Sequence, residues 1–374
     1  MVLGVKYILL GVPCFSMIYA KLIKPILFKF DAEKIHARAT NTGEKLGNSS
    51  VSRKAISSLY SYENKKLETE ILGIKFKNPT GLAAGFDKDA RLTKILPSVG
   101  FGYEEVGSIA GSPCNGNSKP RLFRLPKDNA LVVNYGLCSI GSEIISKKLR
   151  NLRFKFPIGV SIVRANNSDI VMDVDKGIRD YIKAYENLKD IGDYLTINIS
   201  CPNTPDKLAF SCVDNFDKLM REFSKLDIRK PVFIKLKPDF SKKEIDEFLK
   251  ISDRYSFIKG FVISNLTKNN KNLRSNNLFK GGISGKPVKE KSNEMLKYVY
   301  KKTKGKYVLI GCGGIFNAED AYEKIRNGAS LLQLITGMIY NGPGIIKEIN
   351  KGLVKLLEKD GFNNVLDAVG ADVR

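Results

Sequence analysis

Residues 231–266 read PVFIKLKPDFSKKEIDEFLKISDRYSFIKGFVISNL, and the fold prediction starts from this stretch. Two short apolar runs rich in β-branched residues, PVFIKLK and GFVISNL, flank a charged segment with helical spacing, KKEIDEFLKISDRY. A strand, a helix and a second strand in this order predict parallel strands that are covered by helices.

The same alternation continues from about residue 70 to the end of the chain of 374 residues. Eight runs are predicted strands: PTGLAAG, YEEVGSIA, IGVSIV, YLTINIS, PVFIKLK, GFVISNL, YVLIG and ASLLQLI. Eight units favour a closed (βα)8 TIM barrel over an open doubly wound sheet, and no GxGxxG motif follows the first strand. The predicted fold class is therefore α/β, with the barrel formed by residues 67–374.

The first 66 residues differ from the barrel segment. Tyr7 to Ala20 carry no charge, and their number is borderline for both a membrane span and the apolar centre of a signal peptide. We predict a membrane anchor in residues 1–24, with a cleaved signal or transit segment as the alternative. A helix start at Asp31 predicts a helical extension in residues 25–66, whose polar part, residues 41–66, has the composition of a linker or loosely packed segment.

Charge and cysteine content limit the class of function. The formal net charge is +23, but the lysines are spread along the chain on predicted solvated helix faces. This favours attraction to an anionic membrane surface and predicts no nucleic-acid partner, although a nucleic-acid surface remains an alternative. The six cysteines form no CxxC pair and His36 is the sole histidine, so neither a metal site nor a disulfide framework is predicted.

A barrel places functional groups at the C-terminal ends of its strands. The loops after the last two strands begin with Gly311-Cys-Gly-Gly314 and Thr336-Gly337, whose backbone N–H groups suit a phosphate, although glycines also form ordinary turns. Lys88 and Lys235 are candidates for positive charge against an electron-rich ring, and solvated lysines are the alternative.

The segment NISCPNTP, residues 198–205, follows the fourth predicted strand. Its amide side chains, Asn198 and Asn203, suit a planar imide or amide ligand, although Asx residues beside proline are also turn formers. Cys201 is a candidate general base, with a packing thiol as the alternative.

Several motifs in order along the chain resemble the dihydroorotate dehydrogenase family, the flavin enzymes of pyrimidine synthesis. They are AGFDKD, GFGYEEVGS, KPRLFRLPKD, NISCPNTP, GGISGKP, GCGGI, AEDAYEKIRNGAS and GFNNVLDAVGAD, and they extend from about residue 30 to the C-terminus. The apolar segment before FDAEKIHA resembles the membrane-associated, quinone-using class. That class implies a membrane location, with the inner mitochondrial membrane as the expected compartment.

The resemblance implies a (βα)8 barrel that binds flavin mononucleotide (FMN). The residues it assigns to the cofactor are Ala84, Gly85, Lys88, Ser108, Asn198, Lys235, Ser264, Ser284, Gly285, Gly313, Gly314, Thr336 and Gly337. Those it assigns to dihydroorotate or orotate are Lys88, Asn198, Asn203 and Asn265. Cys201 stands at the position of the catalytic base, which removes a proton from C5 of dihydroorotate as a hydride passes from C6 to the flavin. His36 and Arg124 match positions that line a tunnel for the quinone.

Five positions depart from the pattern of the quinone-using class. Cys201 stands where that class has serine and the soluble class has cysteine, so fumarate or another acceptor is an alternative to quinone. Substrate or flavin contacts are altered at Val133, Leu266 and Ser161, and Ile335 replaces a tyrosine near the quinone. Each lost hydrogen bond to a buried ligand costs about 1 to 3 kcal/mol. A flavin-binding barrel with lost or altered substrate activity is therefore a second alternative.

Overall fold

The structure is a computed structural model that describes residues 19–201, 210–271, 273–275 and 279–374. Its strands, in chain order, are β1 (Thr69–Ile71), β2 (Ile74–Phe76), β3 (Thr80–Leu82), β4 (Tyr103–Ala110), β5 (Leu122–Leu125), β6 (Ala130–Val133), β7 (Ile158–Val163), β8 (Tyr194–Asn198), β9 (Val232–Leu236), β10 (Ile258–Ile263), β11 (Gly282–Gly285), β12 (Val308–Cys312) and β13 (Leu331–Leu334). Eight of them, β3, β4, β7, β8, β9, β10, β12 and β13, form a closed parallel barrel in chain order. These are the eight predicted strands, and the TIM-barrel prediction is confirmed.

Helices follow most barrel strands and cover the outside of the sheet. The α-helices are α1 (Lys24–Leu27), α2 (Ala32–Asn48), α3 (Ser50–Tyr60), α4 (Leu96–Val99), α5 (Ser142–Leu149), α6 (Ser168–Val171), α7 (Val174–Leu188), α8 (Val213–Phe223), α9 (Lys242–Ser252), α10 (Lys289–Thr303), α11 (Ala318–Arg326), α12 (Thr336–Asn341) and α13 (Ile345–Lys359). A π-helix, Tyr19–Ile23, precedes α1, and short 3₁₀ helices occur at Lys65–Leu67, Pro126–Asp128, Lys286–Val288 and Val365–Ala368.

Helix α9 shows why the sequence between two strands folds as a helix. Ser241 and Glu244 form a capping box in which Ser241 Oγ accepts from the Glu244 N–H at 3.3 Å and Glu244 Oε2 accepts from the Ser241 N–H at 2.7 Å. Ile245, Phe248 and Leu249 recur with helical spacing and are buried against the barrel. The same spacing, read from the sequence, predicted this helix.

Aromatic rings close the N-terminal end of the barrel. Tyr103, Tyr194 and Phe233 are buried there and pack against the hairpin of β1 and β2. Gly81 and Gly159 make room for the rings, since a Cβ would lie 2.3 Å from Cζ of Tyr103 and 2.1 Å from Cζ of Tyr194, respectively. With this end filled, space for a ligand lies toward the C-terminal ends of the strands.

The N-terminal extension is more regular than its composition predicts. Asp31 caps α2 as expected, accepting from the Lys34 N–H at 2.8 Å. In residues 41–66, which were predicted to be a linker or a loosely packed segment, α2 and α3 continue to Tyr60, and no residue of α3 is buried. Ser49, whose residue type is common in loops, instead caps α3 by accepting from the Ser52 N–H at 3.2 Å.

Most of the predicted membrane anchor lies outside the described residues, which begin at Tyr19. Within the described ranges, no helix has both the length and the apolar character that a membrane span requires. Four large apolar side chains at the start of the described chain are exposed: Leu22, Ile23, Ile26 and Phe30.

Candidate functional site

A cavity opens at the C-terminal ends of the barrel strands, under a small antiparallel sheet of β5, β6 and β11 and beside helix α2. It encloses about 1280 Å³ of space, including its open mouth. Most site residues predicted from the sequence line this one cavity: His36, Ala84, Gly85, Lys88, Ser108, Asn198, Cys201, Lys235, Ser264, Asn265, Ser284, Gly285, Gly313, Gly314, Thr336 and Gly337. The cavity therefore brings together residues that are up to 301 positions apart in the sequence, from His36 to Gly337.

Two predicted residues are placed differently. Asn203 lies outside the described residues, as do its neighbours from residue 202 to residue 209. Arg124 on β5 is not among the residues lining the cavity. Its Nη1 donates to the Phe30 carbonyl at 2.7 Å, and its guanidinium lies 4.6 Å from the ring centre of Phe28. Arg124 thus joins the small sheet to the chain between α1 and α2.

Lys88 is held against an aromatic ring at the cavity wall. Its Nζ lies 3.6 Å from the ring centre of Tyr135, and the guanidinium of Arg121 lies 5.0 Å from the same centre. Burial lowers the pKa of Lys88. A poorly hydrated cation is well suited to face a polar or anionic ligand. This favours the interpretation that Lys88 contacts a ligand over the alternative of a solvated surface lysine.

The loop that carries Lys88 is held by the carboxylate of Asp87, beside which a second acidic side chain, Glu104, is buried. Asp87 accepts from the N–H groups of Arg91 and Leu92 at 2.8 and 2.6 Å. Glu104 on β4 is fully buried beside Asp87, and burial raises the pKa of Glu104 well above its ordinary range. A protonated Glu104 leaves Asp87 to hold the loop without burying two negative charges side by side.

Lys235 and Glu105 occupy the floor of the cavity. Glu105 is fully buried, and its Oε1 lies 3.9 Å from Nζ of Lys235. Its Oε2 accepts from Thr196 Oγ1 at 2.8 Å, Gln333 Nε2 at 2.9 Å and Tyr194 OH at 3.3 Å. The sequence prediction missed Glu105, although an acidic residue within an apolar strand is itself a signal, because such a charge must find a partner.

A network of amides and hydroxyls joins the neighbouring strands β4, β7 and β8 to the segment that follows β10. Asn198 Nδ2 donates to Ser108 Oγ at 2.8 Å, and Ser108 Oγ lies 2.8 Å from Ser161 Oγ. Asn265 Nδ2 donates to Ser200 Oγ at 2.9 Å. Ser161, which the sequence predicts to depart from the class pattern, thus contacts the hydroxyl of Ser108. The network orients both asparagines at the cavity wall, as a ligand with amide groups requires.

Cys201 lies three residues after Asn198 and lines the same cavity. Its side chain is partly exposed, so a ligand in the cavity can reach it. Several apolar side chains line the cavity as well: Leu122, Leu131, Val133, Leu137, Leu266 and Ile335. Val133, Leu266 and Ile335, which the sequence predicts to depart from the class pattern, therefore line the cavity, as Cys201 does. Tyr135, Cys138 and Cys312 are among the further lining residues that the sequence prediction missed.

Glycines on the opposite side of the cavity bring the backbone close together. At Gly285 (φ +93°) a Cβ would lie 2.3 Å from the Asn129 carbonyl oxygen, and at Gly337 a Cβ would lie 2.1 Å from that of Ile315. Ser284 Oγ lies 2.8 Å from Thr336 Oγ1, so two hydroxyls meet beside these glycines. Backbone N–H groups and hydroxyls in a tight cradle are the ligands that proteins commonly offer to phosphate.

His36 on α2 faces the cavity across Phe86. The two rings are nearly perpendicular, with centres 4.7 Å apart. Burial, together with the nearby charge of Lys88, lowers the pKa of His36 to about 3. The imidazole is therefore neutral at physiological pH and offers one N–H donor and one acceptor to an uncharged ligand.

Comparisons with known proteins agree on one family. The family model described as "Dihydroorotate dehydrogenase" matches residues 66–357. The protein named "Dihydroorotate dehydrogenase (quinone)" from Trichodesmium erythraeum is 36% identical over 378 residues, covering 94% of this chain and 98% of the relative. The protein with the same name from Natronomonas pharaonis is 36% identical over 355 residues, covering 94% of this chain and 99% of the relative. A ligand-free DHODH structure from Eimeria tenella superimposes with a TM-score of 0.77 and 30% identity, covering 87% of this chain and 99% of that one.

Proposed function

Because this chain belongs to the dihydroorotate dehydrogenase family, we propose that its cavity oxidises dihydroorotate to orotate and that a membrane quinone accepts the electrons. The activity is that of a dihydroorotate dehydrogenase (quinone), the name carried by relatives that match 94% of the chain. The observation that carries the proposal is the convergence of Lys88, Asn198, Cys201 and Lys235 on one cavity.

The cavity has features that fit FMN. The close backbone approach at Gly285 and Gly337 leaves no room for side chains there, as expected for a phosphate cradle. Lys88 and Lys235 supply positive charge at the cavity wall and floor. FMN, when bound, supplies a two-electron acceptor. The residues that we propose to hold it are Ala84, Gly85, Lys88, Ser108, Asn198, Lys235, Ser264, Ser284, Gly285, Gly313, Gly314, Thr336 and Gly337.

Side chains of the protein orient the substrate and remove its proton. Asn198 and Asn265 orient the amide groups of dihydroorotate, together with Asn203 from the segment outside the described residues. Cys201, as a thiolate, takes the proton from C5. The ordinary thiol pKa of about 8.5 makes this base accessible near neutral pH, whereas a hydroxyl requires stronger activation. The apolar side chains of Val133 and Leu266 limit access of water to the proton-transfer step.

The N-terminal extension fits a quinone site at a membrane surface. His36 is neutral and partly buried, which suits hydrogen bonding to a quinone oxygen, and Arg124 lies beside Phe28 and Phe30. Leu22 and Ile26 are 63% and 59% exposed among lysines. Exposed apolar residues with cationic neighbours favour contact with anionic lipid. The location in the inner mitochondrial membrane stays a prediction, since relatives with this enzyme name include bacterial and archaeal proteins.

A second candidate function is a flavin-binding barrel of the same family with a different substrate or a different acceptor. It is favoured by Val133 and Leu266, which present apolar surface to the cavity near Cys201. Unlike an amide or a hydroxyl, an apolar side chain forms no hydrogen bond to dihydroorotate. Each missing hydrogen bond lowers the binding free energy by about 1 to 3 kcal/mol.

Anaerobic reduction of the bound flavin tests the proposal. The full-length protein, purified in detergent without added flavin, is mixed with dihydroorotate while the visible flavin absorbance is followed. Rapid bleaching is expected, and reoxidation by a soluble quinone but not by fumarate then identifies the acceptor. A flavin that stays oxidised with dihydroorotate would refute the substrate and favour the second candidate.

A further inference from the structure

Lys324 is a buried lysine outside the cavity lining. It lies on α11, its side chain is fully buried, and its Nζ donates to Ser292 Oγ at 2.9 Å and to Asn293 Oδ1 at 2.7 Å. Both of these acceptors are neutral. A buried ammonium group without a bonded carboxylate is costly, so its retention calls for an anion nearby.

The ammonium group of Lys324 lies directly behind the glycine loop of the cavity. Ser292 Oγ, which accepts from Lys324, donates in turn to the Cys312 carbonyl at 2.8 Å. The stem of Lys324 packs against β12, since a Cβ on Gly311 would lie 3.2 Å from Lys324 Cδ. The next two residues, Gly313 and Gly314, line the cavity. Two hydrogen bonds in series therefore connect Lys324 to the backbone at Cys312, next to Gly313 and Gly314, which we propose to contact FMN.

The charged groups around Lys324 leave its charge largely uncompensated. Asp320 and Glu323 on the same helix both bind Lys289 of α10, at 2.6 and 2.9 Å. On β12 the neighbouring titratable group is the Cys312 thiol, whose pKa is raised by burial. Burial lowers the pKa of Lys324 itself to about 8, so its proton is held only weakly near physiological pH.

We propose that Lys324 is the buried counter-charge of the flavin phosphate, so that binding of FMN is coupled to protonation of Lys324. The inference rests on the proposed FMN site. A phosphate monoester carries a charge close to −2 above pH 7, and its attraction for an ammonium group extends over several ångströms where water is excluded. Because linkage is reciprocal, a protonated Lys324 strengthens phosphate binding as much as the phosphate strengthens proton binding. Lys324 is a positioning residue that acts through the loop of Cys312 and Gly313.

Comparison of FMN with riboflavin isolates the phosphate. Flavin is removed from the full-length protein, and the affinity for each flavin is measured between pH 7 and pH 9 by fluorescence quenching. If bound FMN raises the pKa of Lys324 by about one unit, protonation of Lys324 strengthens FMN binding by at most about tenfold. FMN affinity is then expected to fall about fivefold between pH 7 and pH 9. Riboflavin lacks the phosphate and is expected to change less than about twofold. Equal falls for both flavins would overturn the proposal.

Three variants assign the effect to one side chain. Lys324→Met is expected to weaken FMN binding at pH 7 and remove its pH dependence, while riboflavin binding is unchanged. Lys230→Met is the matched control, because its ammonium is also shielded from water but it precedes β9 at the other end of the barrel. It should keep the wild-type pH dependence. Cys312→Ser should also keep it, and loss of the pH dependence in Cys312→Ser would assign the effect to the thiol and refute the role of Lys324.

The remaining outcomes are also decisive. If Lys324→Met does not fold, the wild-type comparison of FMN with riboflavin, together with Cys312→Ser, still supports or overturns the proposal. If neither flavin binds, this inference and the proposed cofactor both fail. If FMN binds with the expected pH dependence but dihydroorotate does not reduce it, the inference stands and only the proposed substrate fails.

Discussion

Lys235 and Glu105 form an ion pair in the interior of the barrel, with Nζ 3.9 Å from Oε1 and side-chain exposures of 4% and 0%. The carboxylate is held by hydrogen bonds from two other strands, with Tyr194 and Thr196 on β8 and Gln333 on β13. Glu105 therefore fixes where the positive charge of Lys235 meets the cavity.

Neutralising Glu105 alone should destabilise the protein more than removing both charges. Glu105→Gln leaves Lys235 buried without its carboxylate, which costs about 3 to 5 kcal/mol in the free energy of unfolding. In the double variant Glu105→Gln/Lys235→Met no unpaired charge is left, so a smaller loss is expected. Denaturant unfolding of the flavin-free protein measures the double-mutant cycle. Additive losses would mean that the two side chains do not interact.

Replacement of Cys201 should separate the proton-transfer step from flavin binding. Cys201→Ala is expected to lower the rate of flavin reduction by dihydroorotate by about 10²-fold or more, the usual contribution of a general base. Bound flavin should be unchanged. Cys201→Ser should retain activity only at higher pH than the wild type, because a hydroxyl loses its proton less readily than a thiol. Stopped-flow absorbance across pH measures both effects, and an unchanged rate in the alanine variant would exclude Cys201 as the base.

His36 should make the folded protein sensitive to acid. The unfolded chain protonates this histidine below about pH 6.5, whereas the folded chain resists protonation until about pH 3. The unfolded state therefore binds more protons in this window, and stability falls as the pH falls. Between pH 7 and pH 5, wild type should lose about 1 to 2 kcal/mol more than His36→Leu does. Parallel pH profiles in denaturant unfolding would contradict a buried, neutral His36.

Two Arg–Glu pairs that hold α2 on the barrel should differ in strength. Arg121 donates to Glu33 from Nη2 at 2.9 Å and Nε at 3.1 Å, with side-chain exposures of 11% and 18%. Arg91 donates to Glu44 from Nε at 2.8 Å in a more exposed setting, with exposures of 30% and 33%. The Glu33 pair should therefore contribute more to the attachment of the helix.

Hydrogen exchange of the α2 amides measures this difference. Glu33→Gln is expected to speed local exchange about tenfold or more, while Glu44→Gln should change it less than about fivefold, because exposed pairs contribute at most about 1 kcal/mol. Exchange in barrel strands far from α2 serves as the internal control. Equal effects of the two substitutions would show that burial of the pair does not govern the attachment.

The barrel was predictable because its strands are continuous apolar runs separated by helix-length charged segments. The small sheet over the cavity was not predicted, since β5, β6 and β11 are only four residues long. β6 also pairs with β11 across 149 to 155 positions of sequence, as Leu131 and Val132 do with Ser284 and Ile283. Such short runs carry too little periodicity to be distinguished from loops. The α3 helix was missed for a related reason, because serine is frequent both in loops and at helix caps.

Residues at the strand ends were predictable from the architecture, since a barrel gathers the C-terminal ends of its strands. Glu105 and Lys324 were not, because the significance of each depends on partners from distant elements. Glu105 binds groups from β8, β9 and β13, and Lys324 binds α10. A sequence shows that a charge is present but not which side chains the fold places around it.

The rings of Tyr103, Tyr194 and Phe233 at the base of the barrel limit the directions from which ligands can enter the cavity. They close the cavity at the N-terminal end of the barrel, so ligands reach it from the C-terminal side. Substrate and quinone are therefore both expected to approach from the C-terminal side of the barrel, either in turn or by separate routes. An inhibitor that covers the whole C-terminal side of the cavity would therefore block both half-reactions. An inhibitor that binds only beside α2 would block only electron release.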